Sequence, residues 1–296
     1  MKRRLTWQEL PEAVRCAVAG RAGAPPLAVE DVPFGLSSHF AAVLHFADGR
    51  RVFCKGMEDG RDARLQCRVE AAANPYVAFT SPALLWDVSA SGWRLLGFAY
   101  VRGRIVDLSP GSPDLPAVAR VLAGAADRLT PAPEVGTLPL SERWARFTAW
   151  EQLAAHDALD PWVAARLDDL RLWEKRGPGA VVGDTLAHCD LSRYNLLVDA
   201  GLGVHVVDWA RAGRAACWVD TAFMVLRLIG EGHTPASAER WARTVRAWEA
   251  AGAEDVTAFA VATAGIRAVR AARPGAPPHL ALLAAHALAW CRHLLG

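Results

Sequence analysis

The chain has 296 residues, 52% of them hydrophobic and 22% charged. That composition suits a globular protein with room for two lobes. A net charge of +2 argues against nucleic-acid binding, which needs a strongly basic face. Six cysteines without a C-x-x-C pair read as reduced thiols in a cytoplasmic protein.

The N-terminus starts Met1-Lys2-Arg3-Arg4 with no apolar run behind it, so no signal peptide is expected. Pro11 followed by Glu12 to Val18 predicts a helix with proline in its first turn, ended by Gly20 and Gly23. Strands follow at Val29 to Val32, Phe40 to Phe46 and Arg51 to Lys55, the last two joined by Ala47-Asp48-Gly49-Arg50, a hairpin turn with Asp-Gly at its centre. Asp62 to Ala73 predicts a helix, with Leu65, Val69 and Ala72 at helical spacing and Asn74-Pro75 as its stop. Ala83 to Val88 and Trp93 to Phe98 predict two more strands. The texture changes near Val101 to Ile105, where the lobe boundary is placed. Helices are expected at Leu115 to Leu129, Ser141 to Ala158, Pro161 to Lys175, Trp218 to Ile229, Pro235 to Ala251, Asp255 to Ala272 and Pro278 to Leu295. The apolar tract Leu280 to Leu295 holds His286, Arg292 and His293; it is too short and polar to span a membrane and reads as a buried terminal helix.

One stretch interrupts the helical half. His188-Cys189-Asp190-Leu191-Ser192-Arg193-Tyr194-Asn195 runs into the apolar Leu196-Leu197-Val198, and after Gly201 and Gly203 comes Val204-His205-Val206-Val207-Asp208-Trp209. Both apolar runs read as short buried strands of a hairpin with polar groups at its edge. Asp190 and Asn195 lie on a turn into a strand and can face one cavity. An amide oxygen at Asn195 and a carboxylate at Asp208 suit a hard divalent ion whose other ligands are phosphates and water, which describes magnesium. Asp190 is then free to orient a hydroxyl and take its proton. A surface hairpin whose Asp and Asn merely serve turns is the bland alternative.

The order H-x-D-x-x-x-x-N, then an aspartate at a strand end, is that of the kinase-like fold. With His188-Cys189-Asp190, Asn195-Leu196-Leu197-Val198 and Asp208-Trp209, the chain resembles the aminoglycoside phosphotransferase family. The resemblance implies an α+β, two-lobed, protein-kinase-like fold. Residues 1–101 would be an antiparallel nucleotide-binding lobe with the hinge, and 102–296 a larger, mainly helical catalytic and substrate lobe. It implies that Lys55 steadies the nucleotide phosphates, and Glu70 would be that lysine's ion-pair partner. Lysine is rare here, at Lys2, Lys55 and Lys175 only, which weighs against a casual edge lysine. Gly35-Leu36-Ser37-Ser38-His39 would cover the phosphates, with Ser37 or Ser38 touching them. Phe98, Ala99, Tyr100 and Val101 would hold the purine through backbone and apolar contacts. The family often has a glutamate near Ala99 and this chain does not; backbone recognition would survive that departure, and the implied donor is ATP with GTP as alternative. His188 and Asp220 would brace the loop. Cys189 replaces the family's usual glycine, and Arg193 faces either the transferred phosphoryl group or solvent.

The activity implied is transfer of a γ-phosphate to a hydroxyl of a small molecule. The acceptor would be an aminoglycoside or other antibiotic, or else a metabolite or natural-product intermediate; a nonenzymatic nucleotide-binding relative is the rival class. From Ile105 onward the chain carries 21 acidic and 19 basic side chains, a poor electrostatic trap for a polycation. Neither nucleic acid nor membrane is an expected partner.

Overall fold

The computed structural model describes residues 4–32, 38–155 and 159–296. Among them the strands in chain order are β1 (Ala28–Asp31), β2 (Phe40–His45), β3 (Arg51–Glu58), β4 (Leu84–Ala90), β5 (Trp93–Ala99), β6 (Gly103–Ile105), β7 (Thr185–Ala187), β8 (Leu196–Asp199), β9 (Val204–Val206) and β10 (Gly213–Ala215). The helices are α1 (Glu12–Ala22), α2 (Arg61–Ala73), α3 (Leu115–Arg128), α4 (Leu140–Trp144), α5 (Ala149–Ala154), α6 (Pro161–Ala165), α7 (Leu167–Ala180), α8 (Val219–Gly230), α9 (Pro235–Ala242), α10 (Ala253–Ala271) and α11 (Pro278–Leu295). The chain divides into two compact units: Met1–Val106 with Tyr194–Ala212, and Asp107–Arg193 with Gly213–Gly296.

The first unit is built on a five-stranded sheet, order β1-β2-β3-β5-β4, with every neighbouring pair antiparallel. The β2–β3 turn forms as the Asp-Gly pair predicts. Gly49 takes a left-handed φ of 84°, and the Asp48 carboxylate accepts the Arg50 backbone N–H at 3.0 Å. Burial alternates along β3: Val52, Cys54 and Gly56 are buried, while Phe53, Lys55 and Met57 turn to the other face. One face packs Val52, Cys54, Phe40, Leu44, Trp86 and Trp93 against Val14 and Val18 of α1. The other packs Phe53, Met57, Leu96 and Phe98 with Cys67 of α2. The period-2 rule therefore places Lys55 on the α2 side. A second sheet, β6-β8-β9, completes this unit; its hairpin was legible in the sequence, whereas β6 was not.

The second unit is mostly helical and contains the β7–β10 pair. Three helices expected to be continuous are broken. Ser141 to Ala158, of which 156–158 lie outside the described residues, gives α4 and α5, Pro161 to Lys175 is α6 and α7, and Pro235 to Ala251 is α9 followed by a 3-10 turn at Arg246–Ala250. Local propensity favours each as one helix; core contacts at Trp144, Trp150 and Trp241 redirect the chain. Two facing assignments also change. Leu65 of α2 is exposed, and the buried stripe runs through Ala63, Cys67, Glu70 and Ala73. In α11 only Ala287, Trp290 and Cys291 are buried, so the terminal helix is half-covered, packing a stripe on α10. No helix among the described residues is long and apolar enough to cross a membrane, and all six cysteines are free.

Gly97 of β5 leaves room for the Trp86 indole: a Cβ there would stand 2.1 Å from a ring carbon. Gly97→Ala should cost about 1–3 kcal/mol, the usual scale of overpacking. Urea denaturation checks this; unchanged stability would mean that Trp86 swings aside freely.

Candidate active site

Lys55 lies between two carboxylates in the first unit. Its Nζ is 2.7 Å from Glu70 Oε2 and 2.6 Å from Asp208 Oδ1. The Lys55 and Glu70 side chains are only 12% and 5% exposed, and Asp208 is 29% exposed. Burial disfavours the Lys55 ammonium, but the charges of Asp208 and then Glu70 overcome it and hold its pKa above the ordinary lysine range. Glu70 is displaced the other way. Burial pushes its carboxyl up to about 7, Lys55 opposes this, and the Asp208 charge adds to it. One ammonium thus balances two carboxylates in a dry pocket, and the more buried carboxylate holds its proton more tightly.

Asp208 reaches Lys55 because its turn is anchored from several sides. It has a left-handed φ of 67° and precedes the 3-10 turn Trp209–Arg211, which packs on α2. The Trp209 indole N–H donates to Ser81 Oγ at 2.8 Å, and Ser81 Oγ donates to the Val206 carbonyl at 2.6 Å. The Val207 N–H donates to the Asn195 carbonyl at 2.9 Å, which ties the Asn195 turn to the Asp208 turn. At the end of α2, Asn74 takes the Leu84 N–H at 2.8 Å and donates to the Pro82 carbonyl at 2.9 Å. The sequence had offered Asn74 only as a helix stop.

These groups open on a cavity of about 520 Å³ lined by Lys55, Glu70, Asn195, Asp208, Ser38, Phe98, Ala99, Tyr100 and Val101. Its apolar lining includes Ala41, Val43, Phe53, Leu197 and Val206. That size and mixture suit a small ligand with one charged end. Ser37 and Gly35 lie outside the described residues. The Ala99 N–H already donates to the Ala83 carbonyl at 2.9 Å. Any backbone donor offered from this segment to a ligand must therefore come from Tyr100 or Val101. No group of three or more His, Cys, Asp or Glu that could hold a metal occurs among the described residues. The donor set on this wall, one carboxylate and one amide, fits a hard cation that keeps water and phosphate ligands.

The loop bearing Asp190 belongs to the second unit. It follows β7, which pairs with β10 in register Ala187↔Gly213. Asp220, in the first turn of α8, takes the His188 N–H at 2.7 Å and the Cys189 N–H at 2.9 Å. His188 is fully buried, and its Nδ1 lies 3.2 Å from the Asp190 N–H that it accepts. Cys189 has a left-handed φ of 62°, where a non-glycine residue costs about 1–2 kcal/mol. Burial pushes its thiol up to about 12, which leaves no thiolate for chemistry. Arg193 donates to Glu231 at 2.9 Å. Asp190 is 43% exposed, and Arg227 Nη2 lies 3.6 Å from its Oδ1.

The first unit thus sets a lysine between two carboxylates on the wall of a cavity that Asn195 also lines, and the second holds the Asp190 loop on α8 through Asp220. The sequence profile of the phosphotransferase enzyme family matches residues 44–259. The chain belongs to that family. No curated protein sequence matches it significantly. Solved structures similar to this phosphotransferase include the apo form of a thermostable mutant of aminoglycoside phosphotransferase APH(4)-Ia, at 19% identity and a TM-score of 0.66, covering 96% of this chain and 100% of that one. The GDP complex of an F108L mutant of an aminoglycoside phosphotransferase of type IIIa matches at 15% identity and 0.66, covering 95% and 93%. Choline kinase LicA from Streptococcus pneumoniae matches at 12% identity and 0.63, covering 90% and 94%. At such identities the likeness concerns the kinase-like fold.

Sequence reasoning passed over Arg227 and Arg267. Arg267 follows Val256 to Ile266, an uninterrupted buried run of α10. A charge closing such a run was the available signal.

The raised Glu70 pKa has a stability consequence. Between pH 4.5, the ordinary value, and about 7 the folded phosphotransferase keeps a proton that the unfolded chain has released. Ionising Glu70 therefore removes stability as pH rises through this window. The melting temperature of the nucleotide-free protein minus that of Glu70→Gln should fall across it. A difference that is flat with pH would show that Glu70 ionises normally.

Proposed function

We propose that this phosphotransferase moves the γ-phosphoryl group of ATP, with GTP as alternative donor, to a hydroxyl of a small molecule. The observation that carries the reading is the Lys55–Glu70–Asp208 network on the wall of the cavity lined by Asn195 and the Phe98–Val101 segment. In it, Lys55 steadies the α- and β-phosphates and Glu70 holds the ammonium in place. Ser38, with Ser37, covers the phosphates. The purine lies among the apolar side chains, its edge read by the Tyr100–Val101 backbone. Asn195 and Asp208 would hold Mg²⁺, which supplies charge neutralisation on the phosphates. Residues 1–101 supply most nucleotide contacts, and 102–296 supply the acceptor side.

Asp190 orients the acceptor hydroxyl and takes its proton. The acceptor oxygen bonds to the γ-phosphorus, the bond from phosphorus to the β,γ-bridging oxygen breaks, and the nucleoside diphosphate leaves. Catalysis is then mainly alignment and charge placement. The solved neighbours include a ternary complex with ADP and hygromycin B and a choline kinase, so antibiotic and metabolite acceptors both belong in a screen. The free cysteines suit a cytoplasmic setting.

Mass spectrometry of phosphate transferred from ATP to a library of hydroxylated antibiotics and metabolites tests the reading; no product and no magnesium-dependent ATP turnover would reject it. Asp190→Asn should lower transfer by about 10²–10⁴-fold, the scale of a positioned base, while nucleotide binding survives. Full activity in that variant would remove Asp190 from the mechanism. Asp208→Ala should abolish magnesium-dependent nucleotide binding, read by calorimetric titration; an unchanged magnesium dependence would reject its assignment.

A further inference from the structure

The second unit carries more buried positive charge around Asp190 than Asp190 can balance. Arg267, on α10, is 9% exposed. Its guanidinium makes one hydrogen bond, Nη1 to the Leu283 carbonyl at 3.3 Å, and no ion pair with any carboxylate among the described residues. A guanidinium has five N–H donors in a planar fork, so most of this one is unused. Burial, then the neighbouring charge of Arg227, lowers its pKa to about 9, and Asp190 only partly counters this. Arg227, on α8, is partly buried, its side chain 16% exposed. It donates through Nε to the Leu191 carbonyl at 2.7 Å and stands 3.6 Å from Asp190.

Two guanidinium groups, one buried and one partly buried, therefore share the field of one half-exposed carboxylate. The next carboxylate, Glu231, is paired with Arg193. His286 has its pKa lowered by burial and then by Arg267 and Arg227. Its Nδ1 is also buried without a hydrogen-bond partner. Buried charge of this kind is expected to be paired. A core device would have supplied a carboxylate from α8, α10 or α11.

We propose that the acceptor is an anionic hydroxylated molecule whose carboxylate, or other compact anion, is bound by the free donors of Arg267 with Arg227, beside the hydroxyl presented to Asp190. This rests on the phosphotransferase reading above and narrows its substrate class. An anion completes the charge balance and can take a forked pair of N–H donors from Arg267. A polycationic acceptor meets repulsion from both arginines, so aminoglycosides are poor acceptors and hydroxy acids good ones. The positive pair also leaves Asp190 as a locally attractive end for the hydroxyl, which gives the acceptor a defined direction.

The test uses the full-length protein with MgATP and three sets of acceptors: hydroxy acids such as gluconate, glucuronate and shikimate within a wider acid library; their uncharged analogues; and kanamycin, hygromycin B and glucosamine. Transfer confined to the acids, with Arg267→Met raising KM for the best acid about 10- to 100-fold, the scale of lost charge-assisted hydrogen bonds, and changing kcat much less, is the expected result. Arg267→Lys should recover part of that KM and covers the case in which the Met variant does not fold. Malonate should inhibit the wild type competitively against the acceptor, and Arg267→Met should lose that inhibition. Efficient phosphorylation of a neutral or polycationic acceptor, with KM indifferent to Arg267→Met or Arg267→Lys, would overturn the inference while leaving the phosphotransferase reading intact. Absence of any transfer and of magnesium-dependent ATP turnover would overturn both.

Discussion

Lys55 places one positive charge against two carboxylates at 2.6 and 2.7 Å, and the first unit is arranged to make that possible. The three groups come from β3, α2 and the turn after β9. The pleat turns Lys55 toward α2. The helix turns Glu70 inward with Cys67. Trp209 and Ser81 hold the Asp208 turn against the same helix. Loss of Lys55 would leave the buried Glu70 carboxylate and its neighbour Asp208 without their counter-charge, among the costlier defects a folded protein can carry. This coupling explains why Asn74 and Ser81, which belong to no recognised motif, are buried and fully hydrogen-bonded.

Backbone strain falls on the loops that carry Asp190 and Asp208. Cys189 and Asp208 both hold positive φ, a conformation that persists for L residues only where surroundings over-determine it. Asp220 supplies that restraint at Cys189 with two charge-assisted hydrogen bonds. At Asp208 the restraint is the ammonium of Lys55 and the anchored indole that follows. Aspartate tolerates this region better than most residues. Cysteine does not, and the Asp220 hydrogen bonds hold it there.

The helical unit has its own electrostatic character. Its overall charge is close to balanced, yet Arg227 and Arg267 concentrate positive charge at Asp190 while acids such as Asp168, Glu134 and Glu254 sit outside in solvent. Net charge counted along the chain averages over this and understates it. The local field, more than the sum, would decide which charge a ligand near Asp190 must carry.

By itself the sequence determined the class of fold and the family. The Asp-Gly hairpin, the H-x-D-x-x-x-x-N spacing and the apolar runs after Asn195 and before Asp208 are local signals that survive without tertiary context. They carried the antiparallel sheet, the helical half and the family resemblance. Helix continuity was not legible past Trp144, Ala165 and Ala242, because there core packing overrides propensity. Only the tertiary structure decided that Leu65 faces solvent while Glu70 is buried, that Lys55 is shared between two acids, and that Arg267 is buried near Asp190 with most of its donors free. Each depends on residues tens to more than a hundred positions apart. Pairing and desolvation are properties of the folded surroundings, and no spacing along the chain encodes them.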